Sequence, residues 1–449
     1  VVIGLSITLV VAFAVLIDVN PSPGSERVPT NAEIRMHFRV PVDPTSVEEG
    51  LQVVPERKGV LTWEGRTLVF RPDKPWPAGE DVTVKLSSGV RLFGFMPLLR
   101  ARSWTFRVDI LRVMYLWPSW DDADIYLADL TGLNPQRLTE SPYGVVDYAL
   151  DREGESVVYA ALRQDGGSDL RVLTLSDGDD RLLYPCPERT RCSALVLHPE
   201  GSFLAFERRE HQVGAAGRPI AEPVEVWLLP LDGEGEAFAL PGQAQSSSSP
   251  LWSPRGWLAY YDENLRAVAF LEEITETAQP TNYIPNDLGL LGSWSPDGSA
   301  LTLVGMLVNE EEASGGVSYH SHIYNIQVRS GHSVDLSTVS ADLVEDASPA
   351  YAPDGAWIAF SRRSLEEAFW TLGRQLWVMR PDGTRATPLS DTPIYNHASI
   401  HWSSDATHLV YLRKNQSELA QPPEVWWTNI ETGEGRRLVE GGYLPRWMP

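Results

Sequence analysis

The sequence predicts an all-β chain behind an N-terminal apolar helix: a small β-sandwich, then a ring of seven four-stranded sheets that the last strand fastens shut. Three observations carry this. One turn recurs, as "SWSPDGSALTL" from Ser293, "LWSPRGWLAY" from Leu251, "AYAPDGAWIAF" from Ala350, "LVLHPEGSFLAF" from Leu195 and the decayed "HWSSDATHLVY" from His401. The composition, with 34 Pro and 35 Gly but only 6 Met among 449 residues, suits many short strands joined by defined turns. Finally, "LPRWMP" at 444–449 repeats only the first half of the recurring turn.

The chain opens with "VVIGLSITLVVAFAVLI", residues 1–17, an uncharged run at the lower limit of the roughly 17–25 residues that span a bilayer as a helix. No Met precedes it, so the expectation is a start, with its basic flank, upstream of Val1. The following "DVNPSPGSE", read with residues 18–26 as a linker, favours the far side of the membrane. Ala12-Phe13-Ala14 resembles a signal-peptidase site, which leaves cleavage as the alternative. Both readings export the remainder.

A net charge of −23 and a pI near 4.8 repel nucleic acid and anionic membrane surfaces, leaving the apolar segment as the expected membrane contact. Cys186 and Cys192 are the only cysteines. In an oxidising compartment they can close a small disulfide loop, and two independent buried thiols are the alternative; neither has the C-x-x-C partners of a zinc site.

Residues 27–109 read as a first β domain. "AEIRMHFRVPV" alternates apolar and polar positions, "RTLVFRP", "DVTVKLS" and "SWTFRVD" supply later strands, and turns such as "PWPAG" separate them. The succession "VPTNAEIRMHFRVPVDPTSVEEGLQV", "TLVFRP", "PAGEDVTVKLSSGV" and "WTFRVD" resembles the bacterial Ig-like domain of S-layer and other surface proteins. That resemblance implies a spacer or adhesion-type sandwich and assigns no catalytic residue.

Residues 110–449 are a repeat array. The turn glycines Gly154, Gly201, Gly256, Gly298 and Gly355, with Ala406 in the sixth place, recur every 42 to 57 residues. Pro presets φ, Asp or Ser bonds the turn backbone, and Gly accepts positive φ, so the chain reverses tightly between two strands. The preceding aromatic, Trp252, Trp294, Tyr351 or Trp402, then marks a fixed packing point, and apolar runs such as "WIAF" and "LAYY" read as buried inner strands. A second hairpin follows in each repeat, as in "VEVWLLPLDGEGEAFAL" and "QLWVMRPDGTRATPLS". Four antiparallel strands, A to D, per repeat make the blade of a β-propeller. The segment from Ile110 has strands B, C and D but no A; Pro445 and Trp447 match Pro250 and Trp252, so the final strand is expected to complete blade 1 and close a seven-bladed ring.

These blades resemble those of the TolB-like, WD-repeat-related propellers, whose "WSPDG…I.F" and "IY…D..G…LT" patterns correspond to residues 294–304 and 125–139. The resemblance implies the fold; such propellers serve as protein-binding modules, peptidase gates and lyases. Taken with the Ig-like segment, it makes the expected location a bacterial cell membrane, crossed once with the bulk outside the cytoplasm, or secretion after signal cleavage.

No G-x-S-x-G, H-E-x-x-H or G-x-x-x-x-G-K-[ST] pattern occurs, so no enzyme activity and no cofactor are expected. Topology places the A–B and C–D turns on one face, expected to hold only tight turns, and the B–C and D–A loops on the other. Every long insertion falls on the second face, at 208–223, 309–321, 361–374 and 413–423. Its channel mouth is expected to present Arg191, Glu345, Asp346, Asn396 and His397 to a polar ligand or cation. His320 and His322 read as loop residues without a third metal ligand, "WDDAD" at 120–124 lacks EF-hand spacing, and the Trp residues read as core. The expected function is a platform for a protein or cell-envelope glycan on an Ig-like stalk; a metal-dependent polysaccharide lyase of the propeller type is the alternative.

Overall fold

The computed structural model describes residues 17–449 except 27, 31, 99, 214–218, 222, 234, 241–245, 311–316 and 341–342. It separates into two units at Leu111/Arg112. The expected anchor or signal, apart from Ile17, lies outside the described residues, and no described helix is long and apolar enough to cross a membrane.

In the first unit, Ile17–Asn20, Ile34–Phe38, Thr67–Pro72 and Gly59–Glu64 form one sheet in that spatial order, and Leu51–Val54, Asp81–Leu86 and Arg102–Arg107 form another. Alternation does the sorting: Ile34, Met36 and Phe38 point inward with Leu68, Val82, Val84 and Phe106, while Arg35 and His37 stay at the surface. The linker expectation needs correcting. Ile17–Asn20 is an edge strand paired with Arg35–Phe38, because Ile17 and Val19 pack on the core and Asp18 accepts two hydrogen bonds from Arg39 at 2.8 Å.

The second unit is built of seven antiparallel sheets of four strands each, one of them carrying the extra strand Pro219–Ala221. Blade 1 combines Arg112–Trp117, Asp124–Asp129 and Gln136–Arg137 with Tyr443–Trp447, which pairs Trp447 with Val113 and Arg446 with Met114. Each inner-strand tryptophan reaches the sheet before it: Trp252 Nε1 donates to Val196 O, Trp294 to Leu251 O, Trp402 to Ala350 O and Trp447 to His401 O, at 2.9–3.3 Å. The recurring aromatic is therefore a hydrogen-bonded wedge as well as apolar bulk. Its turn is self-sufficient too, since Asp297 accepts from Ser295 Oγ (2.6 Å) and Ser299 N (3.1 Å) while Gly298 takes φ +65°.

Inner strands share a device that the sequence pattern hid. Register shifts fall between Ser193/Val196, Ser248/Leu251, Ala347/Ala350 and Ala398/His401, with Ala194, Ser249, Ser348 and Ser399 at φ +49° to +57°. These bulges turn backbone N–H groups toward a neighbouring blade. Asp147 accepts from Leu195 N (2.9 Å) and Glu207 from Ser249 N (2.8 Å), which staples blade 2 to blade 3 and blade 3 to blade 4. Burial pushes both carboxyls above their ordinary range, against the pull of these donors.

Three further expectations are corrected. Two insertions extend hairpins rather than forming free loops: Phe203–Val213 runs on to pair with Pro219–Ala221, and Ala300–Glu310 pairs with Val317–Gln327 out to Glu310 and Val317. The A–B/C–D face is not limited to tight turns, because ten residues join Ala267–Leu271 to Asn282–Pro285. His320 and His322 lie buried in a strand, where His322 Nδ1 and Asp335 Oδ2 are 2.8 Å apart.

Candidate functional site

Strand alternation separates the residues expected at the channel mouth. Glu345 and Asp346 are adjacent in the inner strand Val344–Tyr351, so their side chains leave on opposite sides. Asp346 is 0% exposed. It accepts from Arg362 Nε (2.7 Å) and Nη2 (2.6 Å) and from Ser337 Oγ (2.6 Å) of blade 5. This is a satisfied ion pair buried within blade 6 and tied to blade 5 through Ser337, and the expectation of a rim ligand is corrected accordingly.

Glu345 pairs with Arg363 and with Arg374 (3.1 Å). Arg374 in turn organises the next blade: its N–H donates to Asn396 Oδ1 (3.2 Å), and its carbonyl accepts from His397 N (3.1 Å) and Nδ1 (2.8 Å). His397 is 1% exposed, and burial lowers its pKa to about 4, so the ring is neutral at physiological pH with its proton on Nδ1. Glu345, Asn396 and His397 thus belong to one cluster, but His397 supports it from below instead of facing solvent. Arg191 lies on blade 3, where its Nη2 donates to Gly166 O at 3.4 Å; no described contact joins it to this cluster. Cys186 and Cys192 form a disulfide between the end of blade 2 and the inner strand of blade 3.

Sequence reasoning missed the arginines. Arg208, Arg362 and Arg413 hold one position of strand B, where they cover Trp227 (3.7 Å), Phe360 and Trp377 (5.0 and 5.4 Å), and Tyr395 and Trp426 (3.9 and 3.8 Å). The available signal was the repeated aromatic-x-Arg-basic pattern in "FERR", "FSRR" and "YLRK". It also missed the surface above them. Leu343, Phe369, Trp370, Leu372, Ile394 and Leu419 are exposed there, Phe369 at 68% and Trp370 at 51%. Backbone bonds tie their loops into one band across blades 6 and 7: Leu365 N to Leu343 O, Gly373 N to Pro393 O and Gln416 N to Ile394 O, at 2.8–2.9 Å. On the turns of the opposite face, Leu133 is the one exposed large apolar residue among the described residues.

The central channel offers a second, smaller feature. A cavity of about 310 Å³ is walled by Leu150, Leu197, Leu251 and three inner-strand tryptophans, and His401 and Arg446 also line it. Burial and the Arg446 charge lower the His401 pKa to about 3.

Comparison with known proteins fits this division. The bacterial Ig-like domain family matches residues 12–108. Over 169 residues the chain is 27% identical to the uncharacterized peptidase YuxL of Bacillus subtilis (strain 168), covering 37% of this chain and 21% of that protein. A puromycin-hydrolyzing peptidase structure from Mycobacterium tuberculosis aligns with TM-score 0.52 and 16% identity over 93% of this chain and 57% of its own. TolB from Acinetobacter baumannii aligns with TM-score 0.45 and 13% identity over 89% of this chain and 83% of its own. The chain therefore spans about a fifth of the curated relative and little more than half of the aligned peptidase. It carries a bacterial Ig-like domain followed by a β-propeller fold shared with that peptidase structure.

Proposed function

We propose that this chain is an exported, membrane-tethered binding protein: the Ig-like domain is a stalk, and the propeller docks a protein through the loop face of blades 6 and 7. One observation carries the reading. Six exposed aromatic and aliphatic side chains gather in one band on the loops of blades 6 and 7, and such patches mark interaction surfaces in folded proteins. The arginine–glutamate cluster beneath holds the loops in place, so little ordering is needed on binding.

The lyase alternative has less behind it. It needs several ligands converging on a metal, and among the described residues no three His, Cys, Asp or Glu side chains are grouped to hold one. The peptidase names of the relatives are not carried over, because no G-x-S-x-G elbow occurs in these 449 residues.

The test is a crosslink. A photoreactive residue at Leu372 should capture an envelope protein, and Phe369→Ala with Trp370→Ala should weaken that complex at least tenfold, about 1.4 kcal/mol. Arg255→Ala and Asp382→Asn on the opposite face should leave it intact. Loss of the complex in the opposite-face variants, with retention in the Phe369/Trp370 variant, would put the site on the wrong side.

A further inference from the structure

The junction between blades 4 and 5 departs from the repeat. In strand B, six blades place a buried aromatic ring against the preceding blade: Tyr115, Tyr159, Phe206, Tyr260, Phe360 and Tyr411. Blade 5 has Leu303 there. Two residues on, where blades 3, 6 and 7 carry their stacked arginines, blade 5 has Gly305. The missing bulk leaves a cleft of about 870 Å³ between Asn282–Pro285 of blade 4 and strands B and C of blade 5. That volume lies in the usual range of ligand sites.

Its lining is differentiated. Leu303, Ile326 and Ile284 form a buried apolar floor. The Tyr324 ring lies across Gly305 as a wall, so close that a Cβ at Gly305 would meet it at 2.8 Å. Ile284 enters from the opposite side, on the strand Asn282–Pro285 of blade 4. Charges at the rim come in opposite pairs, Glu272 with Arg329 (3.7 Å) and Asp287 with Arg266 (3.0 Å).

We propose that this cleft is a binding site for a short neutral oligosaccharide. Three features select that chemistry. Aromatic surface beside an apolar floor suits the C–H faces of sugar rings, and the rim carboxylates, guanidinium groups and Ser330 and Ser333 hydroxyls suit their hydroxyls. Paired rim charges leave no net sign to attract a charged ligand, although the chain as a whole carries −23. An extended peptide is disfavoured by the outer edge of blade 4: Pro285 has no N–H, and the Tyr283 N–H is already bonded to Asn282 Oδ1 at 2.8 Å. The site is separate from the docking band on blades 6 and 7, and each stands or falls without the other.

The test is calorimetric titration of the whole purified chain with cellotriose, chitotriose and mannotriose, and with an extended Thr-Val octapeptide. At least one trisaccharide should bind saturably. Leu303→Phe restores the ring that the sister blades carry; it should cut that affinity at least tenfold while melting no lower than the parent. Tyr324→Leu removes the ring wall and should give the same loss, which covers the case in which Leu303→Phe does not fold. Binding by none of the sugars, binding that survives both substitutions, or binding of the peptide alone would each overturn the proposal.

Discussion

The two junctions of blade 5 differ by what two positions of strand B carry, Phe360 and Arg362 on one side and Leu303 and Gly305 on the other. On the side facing blade 6, Arg362 fills the gap, covers Phe360 and Trp377, is neutralised by Asp346 and donates to Ser340 Oγ, while Ser337 Oγ donates to Asp346. On the side facing blade 4, the equivalent Gly305 fills nothing, and a cleft opens. A propeller with identical blades would have identical seams. Here the repeat sets the backbone, and single substitutions within it decide whether a seam is sealed by a buried ion pair or left open for a ligand.

Both seams presuppose a closed ring, so the largest expected effect comes from opening it. Deleting residues 443–449 removes the strand paired with Val113–Leu116, the Trp447 bond to His401 O and the Leu444 carbonyl that accepts from Tyr148 Oη at 2.6 Å. The expected outcome is aggregation or a fall in melting temperature well beyond that of any point variant, measured by scanning calorimetry. An unchanged melting point would mean that the ring holds without its closing strand.

Next in size is the sealed seam itself. Arg362→Ala strands a wholly buried carboxylate at Asp346, which should cost about 3–5 kcal/mol in denaturant unfolding. Replacing both partners, Arg362→Met with Asp346→Ala, should cost less than the single change, because no uncompensated charge remains. A double variant as unstable as the single one would argue that the pair contributes through packing alone.

The smallest effect at neutral pH belongs to the buried histidines, whose contribution changes only in acid. His397 and His401 have pKa values of about 4 and about 3 in the fold against an ordinary 6.5, the first cause in both being burial. The unfolded chain therefore binds more protons than the folded one in this interval. The stabilisation is complete above about pH 6.5 and is lost as pH falls toward about 4 for His397 and about 3 for His401. Melting temperature should drop across that window, and His397→Gln, which retains a donor for Arg374 O, should flatten part of the slope.

Blade number, the shared first blade and the Ig-like strands were legible because they depend on turn chemistry and on period-2 alternation, both local properties of the sequence. The cluster was only half legible. Locating Glu345, Asn396 and His397 near one another required only the repeat register, but deciding which of them face solvent required the side-chain direction at each position. Treating Glu345 and Asp346 as neighbours at one rim ignored the alternation used elsewhere for the strands. Arg374 was out of reach for another reason. It stands at the end of an insertion, where no repeat partner exists for comparison, and its role rests on a carbonyl and an N–H that composition does not show. Gly305 could have been found, since aligning "ALTLVG" with "WIAFSR" puts glycine opposite arginine.

The strand Tyr443–Trp447 also has a consequence for biosynthesis. Blades 2 to 7 are each drawn from one continuous stretch, so their sheets can form while translation is under way. Blade 1 cannot, because its second and innermost strands are separated by more than three hundred residues. Until residue 447 emerges, Met114 and Leu116 of blade 1 lack their final strand. That interval is when the nascent chain is most prone to aggregate, and a holding chaperone would matter most there.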